Sequence, residues 1–264
     1  MNKFIILFTT ILLTSCKESN KGVSNSVEMD SMLTKVVSNH SGNCVVIETT
    51  PRGFDLPEGV SGAWGNRNKV WRKRVLKVEF FGKVTPHQKE MTKKYMGYVD
   101  DLCGIRFQFG TYSRSDLRIG FDQYDGHWSY LGTDCSTIPE RERTMNIALD
   151  RNSSDLEWKR VAVHEVLHAL GFGHSQQNPQ QSIPWNEKKV IDYYKRTQGW
   201  SEAETRHQVL RGYRPYGTFN NGYDKDSIMH YPVQNFLTVG DYEVGWNTTP
   251  SSRDVAMLRK LYGK

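Results

Sequence analysis

One short segment, residues 163–174, restricts the fold and chemistry of this chain more than any other part of its 264 residues. His164 and His168 are four residues apart, so on an α-helix they lie on one face, one turn from each other. Gly171 follows, and glycine can adopt the left-handed backbone conformation that ends a helix and turns the chain. Such a turn would return His174 toward the first two rings. The spacing therefore predicts one metal site held by three imidazoles, with a fourth position open for water, as in catalytic zinc sites.

The residue after the first histidine is a glutamate, Glu165. At this place a carboxylate can act as a general base beside the metal rather than as a ligand. An ordinary helix with two histidines and a terminal glycine would reproduce only part of the pattern. The full spacing H-E-x-x-H-x-x-G-x-x-H is much more specific than H-E-x-x-H, which arises by chance in unrelated chains. We therefore interpret the segment as a catalytic zinc site.

This motif resembles that of the metzincin zinc endopeptidases, and a second segment farther along the chain supports the likeness. Residues 226–231, Asp-Ser-Ile-Met-His-Tyr, are similar to the Met-turn in the astacin branch of that family. The resemblance implies that Met229 occupies a tight turn beneath the zinc. It also implies that Tyr231 is a hinged extra zinc ligand, which swings away to hydrogen-bond the transition state. Taken alone, Met229 could equally be a plain core residue and Tyr231 a buried structural tyrosine.

The family resemblance implies an α+β fold of the metzincin type and covers about residues 70–264. A twisted mixed sheet and the active-site helix would form an upper subdomain, above a mostly irregular or helical lower subdomain. The hydrophobic patterns agree with this layout. They predict strands at 75–81, 105–109, 116–121, 127–131 and 144–149. They predict helices from Thr85 to about Leu102, from Ser154 to Leu170, over 185–197 and 201–210, and from Ser251 through Leu261.

The implied activity is the hydrolysis of internal peptide bonds in protein or peptide substrates, with one catalytic Zn²⁺ as cofactor. Glu165 would take a proton from water and later deliver it to the leaving amine. In the metzincins an edge strand of the sheet borders the cleft and pairs with extended substrate. The resemblance assigns this role to three consecutive residues, Trp128, Ser129 and Tyr130. The neighbouring His127 is expected to be a surface histidine, with a stray metal ligand as the alternative.

One residue departs from the astacin pattern. Astacins usually carry a glutamate directly after the third histidine, and there it forms an ion pair with the N-terminus that activation releases. This chain has Ser175 at that position. A serine hydroxyl cannot form the ion pair, so the usual anchoring of the N-terminus is not expected here.

Residues 1–16 are typical of an export signal. A charged start at Lys3 precedes the apolar run 4–13, which is too short to cross a bilayer as a helix. The end of that run, Leu-Thr-Ser-Cys at 13–16, resembles a bacterial lipobox and implies a lipid on Cys16. A plain secretory signal with an incidental cysteine is the alternative. We expect an exported protein, either an outer-membrane lipoprotein held only by its N-terminal lipid or one secreted after propeptide removal.

Residues 17–62 carry little hydrophobic periodicity, and they are rich in Ser, Asn, Gly and scattered charge. This composition predicts a propeptide or tether rather than a folded domain, which leaves residues 63–264 as the catalytic domain. An activating protease or autocleavage would then separate the two. The formal net charge of +6 is modest for this length, and no dense run of Lys and Arg argues for a nucleic-acid partner.

Export permits disulfide bonds, and the chain has four cysteines. Cys103 and Cys135 both lie in the predicted catalytic domain and are predicted to pair. Cys44 lies in the predicted propeptide, where its thiolate could fill the open zinc position, as in the cysteine switch of the matrixin branch. We hypothesise that Cys44 blocks the zinc in a latent zymogen. Asp55, in a segment loosely similar to the astacin propeptide motif, is the second candidate, and a disulfide from Cys44 to Cys103 or Cys135 is the alternative.

A different class of function also has to be considered. A surface lipoprotein could bind peptide or matrix through a metzincin-like cleft without cutting it. Glu165 argues against this alternative, because a binding module has no need of a general base. A purely structural zinc site would normally have four protein ligands rather than three. The sequence therefore favours a secreted or surface-anchored zinc endopeptidase.

Overall fold

One sheet of six strands forms the first structural layer. The computed structural model describes residues 44–47, 65–212, 218–219 and 222–263, with the backbone alone at 44, 46, 47, 218 and 219. The strands, in chain order, are β1 (Cys44–Ile47), β2 (Gly65–Asn66), β3 (Val75–Phe80), β4 (Arg106–Phe109), β5 (Leu117–Gly120), β6 (His127–Tyr130), β7 (Met145–Asn146) and β8 (Thr218–Phe219). Six lie side by side in the order β1-β6-β7-β5-β3-β4, and β2 pairs with β8 separately. Every pairing in the large sheet is parallel except that of β6 with β7, so the sheet is mixed as predicted.

The α-helices in the described residues are α1 (Pro86–Leu102), α2 (Asp155–Ala169), α3 (Glu187–Gln198), α4 (Glu202–Thr205) and α5 (Ser252–Tyr262). Four of these five match the predicted helices to within two residues at each end, and α4 is shorter. The helix predicted over 201–210 is divided, because a turn of π-helix at Arg206–Leu210 continues α4. No helix in the described ranges combines the length and the apolar character needed to cross a bilayer.

The strand predicted at 144–149 is shorter than expected, because the chain leaves the sheet after Asn146. Ala148 donates its backbone N–H to Nδ1 of His127 at 3.0 Å. Leu149 donates its N–H to the carbonyl of Ile147 at 2.8 Å. The other four predicted strands are confirmed to within one residue at each end. The segment after β7 therefore supports the ring of His127 instead of extending the sheet.

The main core lies between the sheet and the two long helices, α1 and α2, which pack against each other. A capping box formed by Thr85 and Gln88 begins α1, and the Gln88 amide also donates to the carbonyl of Leu149 at 3.0 Å. Helix α2 begins at Ser154, whose side chain accepts from the N–H of Glu157. Every residue of α2 from Val161 to its end is buried. The histidines and the glutamate of the motif therefore lie in the interior.

Two side chains from distant segments hold the C-terminal end of α2. The indole N–H of Trp71 donates to the carbonyl of Ala169 at 2.7 Å, and the hydroxyl of Tyr262 donates to the carbonyl of Leu170 at 2.6 Å. The last carbonyls of a helix have no partner within the helix, so these bonds satisfy groups that would otherwise be buried and unpaired. The point at which the chain turns toward the third histidine is therefore fixed from both ends of the domain.

The predicted disulfide between Cys103 and Cys135 is wrong, because neither sulfur is in a disulfide bond. The thiol of Cys103 donates to the carbonyl of Val99 at 3.5 Å, and the thiol of Cys135 donates to the carbonyl of Tyr130 at 3.5 Å. Both residues are buried and fill the core as small apolar side chains. Burial raises the pKa of Cys135 to about 12. The alternative, a disulfide from Cys44 to one of these residues, stays a prediction, because the Cys44 side chain lies outside what the structure describes.

Candidate metal centre

Three histidines converge at the end of α2, as their spacing predicts. His164 and His168 lie one turn apart on α2, and Gly171 follows the helix with a φ of 96°, a conformation that side-chain-bearing residues rarely adopt. The turn brings His174 back against them, with its Nε2 3.0 Å from Nε2 of His168. One ring nitrogen from each histidine lies within 4.8 Å of the others. The structure thus brings together all three predicted ligands.

Two of the rings are oriented by main-chain carbonyls. Nδ1 of His164 lies 2.7 Å from the carbonyl of Ile228, and Nδ1 of His168 lies 2.7 Å from the carbonyl of Phe172. A carbonyl only accepts, so each Nδ1 carries the proton and each Nε2 presents a lone pair. Nε2 of His164 is buried without a hydrogen-bond partner among the described residues. Lone pairs that face one another in the interior fit a shared cation, and three imidazoles suit zinc.

All three rings are held neutral by their surroundings. Burial lowers the pKa of His164 to about 4; the nearby charge of Arg160 adds to this effect, and the Ile228 hydrogen bond opposes it. Burial also lowers the pKa values of His168 and His174 well below the usual value. Only a neutral imidazole can ligate a metal, so at neutral pH protons do not compete for these nitrogens.

The segment predicted as the Met-turn forms a 1,4-turn against the histidines. The N–H of His230 donates to the carbonyl of Ser227 at 3.0 Å, and Met229 between them is buried. The carbonyl of Met229 accepts from the N–H of Ser175 at 2.9 Å, directly after the third histidine. Together with the bond from His164 to Ile228, this contact ties the turn to both sides of the cluster.

A buried carboxylate that the sequence analysis missed supports this turn. Asp254, near the start of α5, accepts from the hydroxyl of Ser227 at 2.7 Å and from the N–H of Ile228 at 3.0 Å. It also accepts from the N–H of Ser251 at 3.0 Å, as part of the capping box that begins α5. The spacing of Ser251 and Asp254 is that of a capping box, which a local pattern can show. The reach of the Asp254 carboxylate to the turn depends on tertiary packing, which no local pattern encodes.

Tyr231 lies beside the third histidine. Its ring centroid is 4.3 Å from that of His174, and the side chain is buried. Its backbone N–H donates to Oε1 of Gln176 at 3.0 Å. The position is compatible with the predicted role as an extra ligand, and that role stays a prediction.

A recess opens beside the histidines, and Glu165 forms part of its wall. Its lining includes His127, Arg160, His164, Glu165, Tyr231 and Trp246. Glu165 has no solvent exposure. The structure therefore places the predicted general base beside His164, in the wall of this recess.

Two residues of the recess were misread or missed from the sequence. His127 is buried rather than on the surface, because its Nδ1 accepts the N–H of Ala148. That bond leaves the proton of the neutral ring on Nε2. Arg160 precedes His164 by four residues, so the helical period could have placed it on the same face of α2.

The predicted substrate-binding strand, Trp128, Ser129 and Tyr130, is not at the edge of the described sheet. It belongs to β6, which pairs with β7 on one side and with β1 on the other. In the parallel register of β1 and β6, Cys44 lies opposite His127 and Ile47 opposite Tyr130. The strand is covered because residues from the predicted propeptide occupy its outer side. The predictions for Cys16, Asp55 and the Cys44 side chain lie outside what the structure describes.

Comparison with protein families gives one match over most of the chain. The astacin family, a family of peptidases, matches residues 63–263. Two solved structures of myroilysin have the same fold. The first is 33% identical, covers 76% of this chain and 98% of its own, and has a TM-score of 0.73. The second is 30% identical, covers 87% of this chain and 95% of its own, and has a TM-score of 0.61.

Curated relatives are longer proteins. Meprin A subunit alpha of Rattus norvegicus is 28% identical over 132 residues, which are 48% of this chain and 15% of the relative. The zinc metalloproteinase dpy-31 of Caenorhabditis elegans is 26% identical over 215 residues, which are 75% of this chain and 33% of the relative. The chain thus spans a third or less of these two proteins. The match over residues 63–263 and the histidine triad lead to one conclusion: the chain belongs to the astacin family of peptidases, whose members are zinc-dependent metallopeptidases.

Proposed function

We propose that this chain is a zinc-dependent endopeptidase that is exported as a latent zymogen. The observation that carries the proposal is the position of Glu165, fully buried directly after the first histidine and in the wall of the recess. Burial of a carboxylate is unfavourable unless charge or hydrogen bonding compensates it. A cation on the three histidines would add to the stabilisation of this carboxylate, and a base beside it has a use only if the site performs chemistry.

The ligands and the base have separate tasks in the proposed reaction. His164, His168 and His174 would hold the zinc ion through the nitrogens that face one another. When bound, zinc supplies Lewis acidity, which makes a water molecule more acidic and the scissile carbonyl more electrophilic. Glu165 would accept the proton of the attacking water and then deliver it to the leaving amine.

Tyr231 would donate a hydrogen bond to the oxyanion that develops on the scissile carbonyl. Such preorganised donors typically contribute a few kcal/mol to transition-state stabilisation. The main chain of Tyr231 is anchored by Gln176, and its ring contacts that of His174. Because the anchor is on the backbone, the side chain can change rotamer without breaking it. This arrangement supports the hinged role that the family resemblance implies.

The pairing of β1 with β6 supports the proposal of latency. An extended substrate would bind through the main-chain groups of Trp128, Ser129 and Tyr130, and β1 uses that side of β6. Substrate and β1 therefore exclude each other. The register lays the backbone of Cys44 opposite His127, a residue of the recess beside Glu165. This placement supports Cys44 as the residue whose thiolate blocks the zinc, with Asp55 as the second candidate.

The domain boundaries and the export route belong to the same proposal. Residues 1–16 would be a lipoprotein-type signal with the lipid on Cys16, residues 17–62 a propeptide or tether, and residues 63–264 the catalytic domain. The family match begins at residue 63, which supports the second boundary. Cleavage by an activating protease or by the enzyme itself would release the catalytic domain.

A casein assay tests the activity. The full chain is trimmed by limited proteolysis, its new N-terminus is sequenced, and initial rates are measured with and without a zinc chelator. We expect the trimmed chain to cut casein, chelation to abolish cleavage, and added Zn²⁺ to restore it. Cleavage that persists in chelator would contradict the zinc mechanism. Binding of casein without cleavage by the zinc-loaded chain would favour a peptide-binding lipoprotein instead.

The switch is tested on untrimmed protein. We expect Cys44→Ser to cut casein without trimming, because a hydroxyl is a far poorer zinc ligand than a thiolate. Cys16→Ser is the matched control, since it removes the other N-terminal cysteine and should remain latent. An untrimmed Cys44→Ser chain that is inert, yet active after trimming, would rule out the cysteine switch. Asp55→Asn would then test the second candidate.

A further inference from the structure

We propose that three side chains, those of His230, Tyr223 and Tyr242, are positioning residues for Tyr231, the side chain that would stabilise the oxyanion. They act by fixing the backbone about which the side chain of Tyr231 turns, and not by contact with the reacting atoms. The inference rests on the proposed function and deepens it, because it names the residues that would make the hinge of Tyr231 precise. Two features carry it: a directed chain of hydrogen bonds, and the small core that holds the far end of that chain.

The hydrogen bonds run in one direction, from Tyr242 to the carbonyl of Tyr231. Nδ1 of His230 lies 2.6 Å from that carbonyl, which only accepts, so Nδ1 carries the proton. Burial lowers the pKa of His230 to about 4, so the ring is neutral and its Nε2 accepts from the hydroxyl of Tyr223 at 2.8 Å. The Tyr223 oxygen in turn accepts from the hydroxyl of Tyr242 at 2.5 Å. The imidazole of His230 is therefore held at both of its nitrogens.

Both main-chain polar groups of Tyr231 are bound by side chains. His230 donates to its carbonyl, and Gln176, two residues after the third histidine, accepts from its N–H at 3.0 Å. Pro232 comes next, and a residue before proline is largely excluded from the helical region of backbone conformation. The side chain of Tyr231 can therefore change rotamer while its backbone stays in place. A tyrosine on such a fixed base returns its hydroxyl to the same point, which a preorganised donor requires.

The far end of the hydrogen-bond chain is supported by a hydrophobic cluster separate from the main core. The half-buried rings of Tyr223 and Tyr242 pack against this cluster, which is made of Ile183, Val233 and Val244. Val233 and Val244 also pair through two main-chain hydrogen bonds, of 2.8 and 2.9 Å. The two tyrosines are thus held by packing as well as by hydrogen bonds, so they give the imidazole a rigid support.

A double-mutant cycle on kcat tests the inference. Tyr223→Phe removes one hydroxyl and keeps the ring against the small cluster. In the trimmed, zinc-loaded enzyme we expect it to lower kcat for an internally quenched peptide about 10-fold with KM unchanged, because the contact that it disturbs forms only in the transition state. Tyr231→Phe should lower kcat about 100-fold. In that background Tyr223→Phe should change kcat by less than about 2-fold, since the hydroxyl that it positions is gone.

Two further variants separate positioning from general damage to the fold. Tyr242→Phe removes the first donor of the chain and should lower kcat about 3-fold, again only while the Tyr231 hydroxyl is present. Tyr112→Phe is the matched control: its hydroxyl donates to the carbonyl of Gln108 in β4, at the other end of the sheet from β1, and its loss should leave kcat unchanged. The zinc content of Tyr223→Phe and Tyr242→Phe should equal that of the wild-type enzyme, because the three histidines are untouched.

The outcomes distinguish this inference from the proposed function. A wild-type kcat in Tyr223→Phe, or an equal loss from it in both backgrounds, would overturn the inference and leave the peptidase activity and the role of Tyr231 intact. If Tyr223→Phe does not fold, the same two results in Tyr242→Phe decide. A near-normal kcat in Tyr231→Phe would remove the oxyanion role and the inference together. A zinc-loaded enzyme that cuts neither casein nor the peptide would overturn the proposed function as a whole.

Discussion

The floor of the histidine cluster and its open side are held by different kinds of contact. The floor, meaning the turn at Ser227–His230 with the Asp254 carboxylate, is fixed by buried side-chain hydrogen bonds. The open side, meaning β6, is covered by the four residues of β1 through main-chain pairing. Val45, the side chain described in β1, is buried against the core.

The side-chain hydrogen bonds of the floor are permanent contacts, whereas the main-chain pairing of β1 with β6 is one that another peptide could replace. Every peptide carries the N–H and C=O groups that β1 offers, so an incoming substrate can replace β1 on β6. Nothing that arrives from solvent can replace the carboxylate of Asp254, which satisfies three donors in the interior. In the proposed function, the floor would keep the ligands in place while the open side exchanged β1 for substrate.

The largest effect is expected from a change that touches neither set of contacts. Glu165→Gln keeps the size of the side chain but cannot carry the proton. We expect casein hydrolysis by the trimmed enzyme to fall about 10²- to 10⁴-fold, the usual contribution of a general base. Initial rates measure the loss, and metal analysis should find the zinc content unchanged. Near-normal activity in this variant would rule out the proposed role of Glu165.

A substitution that removes the hydrogen bonds of the floor should lower the free energy of unfolding. Asp254→Ala leaves the Ser227 hydroxyl and the Ile228 N–H buried without an acceptor and also removes the Asp254 half of the capping box of α5. We expect the free energy of unfolding to fall by about 3 kcal/mol. Denaturant unfolding of the trimmed, zinc-loaded enzyme measures it. Asp226→Ala, at an exposed position one residue before the turn, is the control and should change stability by about 0.5 kcal/mol or less.

Breaking the open side should change latency more than stability. Val45→Asp places a carboxylate at a buried position, which costs about 3 kcal/mol or more unless β1 leaves β6. We expect casein cleavage by the untrimmed chain to rise about 10-fold, with little change in the Tm of the catalytic domain. Val75→Asp, the same change at a position that is 44% exposed, should stay latent. Equal latency in both variants would count against the exchange of β1 for substrate.

The smallest effect on stability is expected at Asp100, a half-buried carboxylate that contrasts with the buried Asp254 of the floor. Burial raises the pKa of Asp100 to about 6, against opposing effects of the Phe107 N–H and Arg106. The folded-state pKa lies above the unfolded value, so this group favours folding at low pH and loses that contribution as pH rises from about 4 to about 6. Asp100→Asn should therefore stabilise the protein at pH 7.5 by about 1 kcal/mol, after discounting for solvent screening, and have no effect near pH 3.5. Unfolding curves at the two pH values measure it. A loss of stability at pH 7.5, like that expected for Asp254→Ala, would contradict the assignment.

Local sequence patterns were enough to predict most of the fold and the three histidines at the centre of the site. The helical period of His164 and His168, with Gly171 to end the helix, was enough to predict the triad. Alternation and β-branched residues located the strands that pair in the sheet. These features depend on neighbours within about one turn of helix or one strand, which is the range over which sequence patterns report structure.

The features that were missed depend on contacts between distant segments. The run Cys-Val-Val-Ile at 44–47 has strong β-propensity, but nothing local to it names β6 as its partner. The local sequence around Asp254 indicates only a capping box. Its hydrogen bonds to Ser227 and Ile228 form between segments that are distant in the sequence. A disulfide needs two particular Cβ positions in register, and the count of cysteines does not supply them.

Strand β1 belongs to the same chain as β6, the strand that it covers, and this restricts how latency could end. A strand tethered to its own binding site meets that site at an effective concentration in the millimolar range, whatever the concentration of the protein. Dilution of the intact chain would therefore not free β6. A cut anywhere in residues 48–64 turns β1 into a separate short peptide, and dilution then carries it away. The change from latent to active would thus be triggered by one cleavage and made irreversible by diffusion.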